Sequence, residues 1–123
     1  MIHIDFTSEK PIYLQIAEGL EDAIFTGAFP EETQIPSTTE ISAQFKINPA
    51  TVLKGMSLLV DQEMLYKRRG LGMFVRKGAV AQIRTKRQAQ FFDSYVVSML
   101  QEAKKLGLTK QDILMLIERG TQE

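Results

Sequence analysis

Cysteine is absent from this chain of 123 residues, and histidine occurs once, at His3. Without cysteine the chain can form neither a disulfide nor a thiolate metal site, and a single histidine cannot build a zinc site by itself. No apolar run reaches the length of a membrane span, and no charged-then-apolar signal segment follows Met1. We therefore expect a cytoplasmic protein with no membrane partner.

Sequence patterns for catalysis are also missing. The chain shows no Gly-rich phosphate loop, no nucleophile with a neighbouring base, no metal-ligand cluster and no convincing pair of carboxylates. We therefore expect that the protein is not an enzyme and that it needs no cofactor. The sequence identifies no small-molecule effector.

Positive charge is concentrated in one segment, although the net charge of the whole chain is zero. Residues 46–87 contain ten Lys or Arg against two acidic residues, a net charge of +8, whereas residues 1–45 carry −7 and residues 88–123 carry −1. A local positive field of this kind attracts the phosphates of nucleic acids. The alternative is a solvated surface that balances the acidic first segment.

Two short helices joined by a tight turn are predicted after residue 36. Ser37 and Glu40 have the spacing of a capping box, in which each side chain accepts the backbone N–H of the other residue, so a helix should begin at Ser37. Asn48 caps well and Pro49 is tolerated at the first helical position, so a second helix should begin there. Residues 46–48 then form a three-residue turn.

The second of these helices has one apolar face and one polar face. The residues expected to pack inward are Val52, Gly55, Met56 and Leu59. The residues expected to point away are Asn48, Thr51, Lys54 and Ser57. The outward face is therefore available to contact a partner.

A basic hairpin is predicted to follow. Residues 64–67 and 72–75 are strand-like, and they flank a basic tip, Arg68-Arg69-Gly70. The glycines at 70 and 72 provide the backbone freedom that a hairpin tip needs. Helix, turn, helix and basic hairpin together make a winged helix-turn-helix.

An N-terminal helix is predicted to support this arrangement. Pro11 suits its first turn, an apolar stripe should pack inward, and Gly27 should end the helix in a left-handed cap. Before it, residues 1–8 alternate apolar and polar side chains, as a strand or a strap would. The turn type of the connection at 28–34 is not predicted.

Five separated motifs lie between residues 11 and 75. They are PIYLQI at 11–16, Gly27, IPS at 35–37, NPATV at 48–52 and RRGLGMFV at 68–75. Together they resemble the DNA-binding domain of the GntR family of bacterial transcription regulators. The short remainder has no room for a full effector domain and resembles the YtrA-type subfamily, whose members append only a pair of helices. The resemblance covers nearly the whole chain.

This resemblance implies a mainly α fold with a small β-hairpin. A winged helix-turn-helix DNA-binding domain is expected in residues 1–77 and a two-helix dimerisation region in residues 78–123. The implied function is that of a sequence-specific transcription regulator, expected to be a repressor that binds a palindromic operator in double-stranded DNA as a homodimer. A winged helix can also serve as a protein–protein interaction module without DNA binding, and this is the alternative.

Two departures from the family pattern affect the expected DNA contacts. The family commonly carries arginine at the positions held here by Thr39 and Pro49, so those contacts cannot be transferred. Hydroxyls and first-turn amides should face phosphates, the hairpin tip should lie at the minor groove, and base contacts should rest mainly on Asn48, Thr51 and Lys54. The residues expected to contact DNA are Ser37, Thr38, Thr39, Asn48, Ala50, Thr51, Lys54, Lys67, Arg68, Arg69 and Gly70.

The C-terminal region has helical periodicity from Ala79 to Leu106, and Gly107 should end this helix. Thr109 and Asp112 form a second capping-box pattern, so a last short helix should follow. Two such helices cannot bury both apolar faces alone, so we expect either a symmetric dimer or folding of the pair onto its own winged helix. The expected dimerisation residues are Phe91, Phe92, Tyr95, Val96, Met99, Leu100, Leu106, Leu114 and Ile117.

Overall fold

Six α-helices and one antiparallel hairpin form residues 2–122, the part of the chain that the computed structural model describes. This confirms the predicted mainly helical fold with a small hairpin. The chain divides into two compact units, one formed by the residues through Thr85 and one by those from Lys86 onward. The elements in chain order are α1 (Ile12–Phe25), α2 (Thr38–Phe45), α3 (Pro49–Asp61), β1 (Leu65–Arg68), β2 (Gly72–Val75), α4 (Ala79–Phe91), a π-helical turn (Phe92–Val96), α5 (Val97–Lys105) and α6 (Lys110–Thr121).

Helix α1 supplies the centre of the core of the first unit. Its stripe of Ile16, Leu20 and Ile24 recurs every four residues and is fully buried, as predicted. The stripe packs in one cluster with the inward face of α3. The buried residues of that face are Val52, Gly55, Met56 and Leu59, as predicted. Helix α3 is therefore held by one face and exposes the other.

Residues 2–10 form an irregular strap against α1. Ile2 is buried beside Gly19. The Gln15 side chain accepts a hydrogen bond from the Asp5 backbone N–H at 2.7 Å and donates one to the Asp5 carbonyl at 3.0 Å. Of the two alternatives for this segment, the structure shows the strap.

The two predicted helix starts around the turn are confirmed. The Glu40 N–H donates to the Ser37 hydroxyl and the Ser37 N–H donates to the Glu40 carboxylate, both at 3.0 Å. The bond that the Ser37 backbone N–H donates to the Glu40 carboxylate, and after it a side-chain hydrogen bond from Ser37, lower the pKa of the Glu40 carboxyl below its usual range. Asn48 Oδ1 accepts the Ala50 N–H at 2.8 Å and caps α3. Between the helices, Lys46 takes the left-handed conformation (φ 55°) that closes α2.

The hairpin differs from the prediction at its tip. Strand β1 runs to Arg68, which pairs with Gly72, so the tip is formed by residues 69–71 alone. Arg68 was expected at the tip and instead lies in the strand. The Leu71 N–H donates to the Arg68 carbonyl at 2.9 Å, and Gly70 at the third position of this turn has a positive φ (78°), which glycine adopts without strain.

The segment before α2 pairs with β2 as a short third strand-like segment. The sequence did not predict this pairing. The Ile35 N–H donates to the Met73 carbonyl, and the Val75 N–H donates to the Thr33 carbonyl, both at 3.0 Å. The chain between α1 and α2 is thereby tied to β2. Strand β2 thus pairs with β1 on one side and with residues 33–35 on the other.

Glu31 caps the N-terminus of α4. Its carboxylate accepts the Gly78 N–H at 2.8 Å and the Val80 N–H at 3.0 Å. These two donors, Gly78 first, lower the pKa of the Glu31 carboxyl. The first turns of α4 belong to the first unit, because Ala79 and Ile83 are fully buried in its core.

The second unit contains the end of α4, the π-helical turn, α5 and α6. The helix was expected to continue unbroken, but five residues, Phe92–Val96, adopt the wider π geometry. Gly107 ends α5 with φ 72°, and the Thr109–Asp112 capping box opens α6, both as predicted. In residues 2–122, no helix combines the length and the apolar composition needed to cross a bilayer.

Candidate nucleic-acid interface

The outward face of α3 is the centre of the candidate interface. Ala50, Leu53 and Lys54 are exposed on it, and Thr51 and Ser57 are partly exposed. The predicted outward positions of Thr51 and Lys54 are therefore present. Leu53 was missed by sequence reasoning, although its offset by one residue from the buried Val52 could have indicated its outward position.

Asn48 precedes the first turn of α3, and its side-chain oxygen caps this helix. Because its Oδ1 accepts the Ala50 N–H, the side-chain group that it can offer to a base or phosphate is the Nδ2 donor. The first-turn amides that follow carry the partial positive charge of the helix N-terminus. This end of α3 therefore favours an anionic or acceptor group.

Lys54 is positioned by a residue of α1. Its ammonium lies 4.0 Å from the centroid of the Tyr13 ring, within the range of a cation–π contact. The contact holds the charge at the edge of α3 that faces α1. The sequence did not predict this restraint.

The N-terminus of α2 carries three hydroxyl residues with different environments. The Ser37 oxygen accepts the Glu40 N–H, and the Thr38 hydroxyl donates to Met56 Sδ at 3.5 Å. Thr39 is exposed. Of the three, Thr39 has the hydroxyl most accessible to a phosphate.

The solvent face of the hairpin carries a stacked row of aromatic rings and guanidinium groups. Tyr66 and Phe74 stack with centroids 5.8 Å apart. The Arg68 guanidinium lies 5.0 Å from the Phe74 centroid, and that of Arg76 lies 5.8 Å from the Tyr66 centroid. This row orients two cations on the face that is opposite the buried Leu65 and Val75.

The tip of the hairpin presents Arg69 and Gly70, which are exposed, next to the exposed Lys67. Gln34 braces this tip, because its Nε2 donates to the Leu71 carbonyl at 2.6 Å. The Gln34 amide also lies over Gly72, where a Cβ would come within 2.8 Å of Nε2. Glycine at 72 therefore makes room for the brace.

Known proteins are similar in sequence to this helix-turn-helix and hairpin region. The model of the family "Bacterial regulatory proteins, gntR family" matches residues 12–75. The chain is 32% identical over 119 residues to the HTH-type transcriptional regulator YhcF of Bacillus subtilis, covering 95% of each chain. It is 30% identical over 79 residues to the HTH-type transcriptional repressor YtrA of the same organism, covering 64% of this chain and 61% of YtrA.

Two solved structures extend the comparison. A transcriptional regulator of the GntR family from Bacteroides thetaiotaomicron is 35% identical with a TM-score of 0.72, covering 90% of this chain and 96% of that one. The DNA-binding domain of AraR in complex with operator ORX1 is 32% identical with a TM-score of 0.54, covering 59% of this chain and 90% of that one. With its winged helix-turn-helix and its short helical C-terminal part, the chain belongs to the GntR family of bacterial regulatory proteins and is of the YtrA type.

Proposed function

We propose that this DNA-binding transcription regulator is a repressor that binds a palindromic operator as a homodimer. The observation that carries the proposal is the geometry of α3. Its inward face is buried in the core, and Asn48 caps its N-terminus. Its outward face is exposed, and a basic hairpin follows it in the sequence. A helix held in this way can enter the major groove of B-DNA, which is wide enough to admit it.

The candidate residues then divide by role. Ala50, Thr51 and Lys54 of α3 lie at base edges or beside them, with the Asn48 amide at the same end. Thr39 and the first-turn amides of α2 and α3 contact phosphates. The hairpin acts as the wing, and Arg69 enters the minor groove, where narrow A·T-rich tracts have enhanced negative potential.

The second unit supports a homodimer. Eight of its nine predicted interface side chains are exposed in the single chain, including Tyr95 at 66% and Leu106 at 67%, and Val96 is half-buried. So many exposed large apolar side chains in a unit of 38 residues support an interaction surface in this unit. Pairing it with its own copy about a two-fold axis would present two copies of α3 to two half-sites, which predicts a palindromic operator.

The names of relatives support repression as the sign of regulation. YtrA of Bacillus subtilis is a repressor by name, and the AraR domain is bound to an operator in its crystal structure. A dimer bound to an operator that overlaps its promoter would block transcription.

Binding titrations against a duplex selected from a random library test the proposal. Affinity should fall steeply with salt, because each phosphate contact releases counterions. The double variant Arg68→Ala/Arg69→Ala should bind all sequences more weakly, with the salt slope reduced by about one for each lost phosphate contact. Lys104→Ala/Lys105→Ala removes the same charge from α5 and serves as the matched control.

The control should bind like wild type. Failure to select any duplex would refute the proposed function. Equal losses in the two double variants would show that net charge, and not the wing, determines affinity.

A further inference from the structure

Leu53 is an exposed leucine on the helix proposed to enter the major groove. The residue retains 47% of its accessible surface, whereas Leu59 on the same helix retains 2% and Leu58 packs against the core. About half of the Leu53 surface is therefore left free of intramolecular packing. Packing within the chain therefore does not explain why a leucine stands at position 53.

The neighbours of Leu53 on α3 form a strip that contains little charge. Ala50, Leu53 and Ser57 follow the i, i+3, i+7 spacing of one helix face. Lys54, the nearby cation, is held against the Tyr13 ring at 4.0 Å on the side of α1. The strip in the first two turns of α3 is thus apolar at Ala50 and Leu53.

The chemistry of the major groove offers one apolar group to such a strip. Base edges there present hydrogen-bond donors and acceptors, with the single exception of the C5-methyl group of thymine. Alanine and leucine side chains cannot pair with donors or acceptors, but they can bury a methyl group. The basic segment around α3, with its net charge of +8 over residues 46–87, supplies the attraction to phosphates that brings the strip to the groove.

We infer that Leu53 is a specificity-determining residue that packs on a thymine C5-methyl in each operator half-site. The inference rests on the proposed DNA-binding function and names a base that it selects. Leu53 thus recognises thymine by shape and apolar contact, without a hydrogen bond to the base. The scattered exposure of single leucines on protein surfaces is the competing explanation.

Deoxyuridine substitution isolates the methyl group, because uracil differs from thymine only by its absence. A duplex selected with the full chain is synthesised with each thymine replaced in turn, and each duplex is titrated with wild type and with Leu53→Ala. At one thymine per half-site, wild type should lose about fourfold in affinity, the value of one buried methyl group, and about sixteenfold when both half-sites are changed. Leu53→Ala removes the Cγ and Cδ atoms that would reach the methyl group from this position, so the variant should bind the two forms alike.

Two controls keep the test specific. Leu53→Ala places a strong helix former at an exposed position, so its circular dichroism should match that of wild type. Leu71→Ala removes another exposed leucine, at the hairpin tip, and should keep the wild-type ratio between thymine and uracil duplexes. The inference is overturned if no thymine shows a methyl effect that Leu53→Ala abolishes while wild type still binds the duplex. A chain that selects no duplex refutes the proposed function itself, and the inference with it.

Discussion

Gly55 lies at a close approach of α3 to α1, and replacing it with alanine should destabilise the first unit. A Cβ built on Gly55 would lie 2.7 Å from the Tyr13 carbonyl oxygen and 3.0 Å from Ile16 Cγ2. Both distances are shorter than ordinary contacts. Because the nearest atom belongs to the backbone of α1, a side-chain rotation cannot relieve the clash, and the two helices must move apart.

The net effect of Gly55→Ala combines two opposing terms. Overpacking a core costs about 1–3 kcal/mol, and alanine gains about 1 kcal/mol over glycine within a helix. Since the obstacle is backbone, the overpacking term should lie toward its upper end. We expect the free energy of unfolding to fall by about 1–2 kcal/mol.

Gly120 provides the matched control. It lies in α6, and a Cβ there would meet no described atom within 4 Å. Gly120→Ala should therefore show the helix gain of up to about 1 kcal/mol without the clash. Urea denaturation followed by circular dichroism measures both variants, and a Gly55→Ala variant as stable as wild type would refute the packing argument.

Two further predictions concern side chains that brace the hairpin region. Glu31→Gln should weaken the cap on α4 and remove a pH dependence: the bond from Gly78 lowers the carboxyl pKa, so its stabilisation is complete above the ordinary value of 4.5 and is lost as pH falls through the folded pKa. Thermal unfolding of wild type and variant between pH 7 and about pH 3 checks this, and parallel curves would contradict it. Gln34→Ala removes the bond to the Leu71 carbonyl and should increase the mobility of the hairpin tip and weaken DNA binding without unfolding the core. Unchanged amide order parameters at the tip would show that Gln34 is not a brace.

Local signals predicted the helix-turn-helix well. Capping patterns act within three residues, so the pairs at 37 and 40 and at 109 and 112 could be identified from spacing alone. The buried face of α3 followed from helical periodicity. These features depend on neighbours in sequence and on little else.

Long-range contacts could not be predicted in the same way. Glu31 caps α4 from 47 residues away, and Gln34 reaches Leu71 from 37 residues away. Neither pairing leaves a periodic signal in the sequence. The contact of Lys54 with Tyr13 is of the same kind, and it changes the position of a residue that sequence reasoning treated as a free base reader.

The π-helical turn escaped prediction for a different reason. Apolar residues around Phe92–Val96 fit an α-helical stripe so closely that their periodicity did not indicate one wider turn. Within this region the Phe91 and Tyr95 rings lie 5.3 Å apart, and both are exposed. The expected dimerisation surface thus includes a local geometry that periodicity alone does not reveal.

A comparison of three proteins tests whether the chain binds DNA as a dimer that forms through the second unit. Wild type, Phe92→Glu and the control Gln101→Glu, which adds the same charge at an exposed position outside the predicted interface, are titrated on one palindromic duplex while sedimentation gives the mass of each species. We predict that wild type and Gln101→Glu are dimers that bind one duplex each. We predict that Phe92→Glu is a folded monomer that loses most of its affinity, because the charge would be buried unpaired at the two-fold axis and the tethered second contact would be lost. A monomeric wild type, or a monomeric Phe92→Glu that binds the palindrome at full strength, would contradict dimeric binding through the second unit.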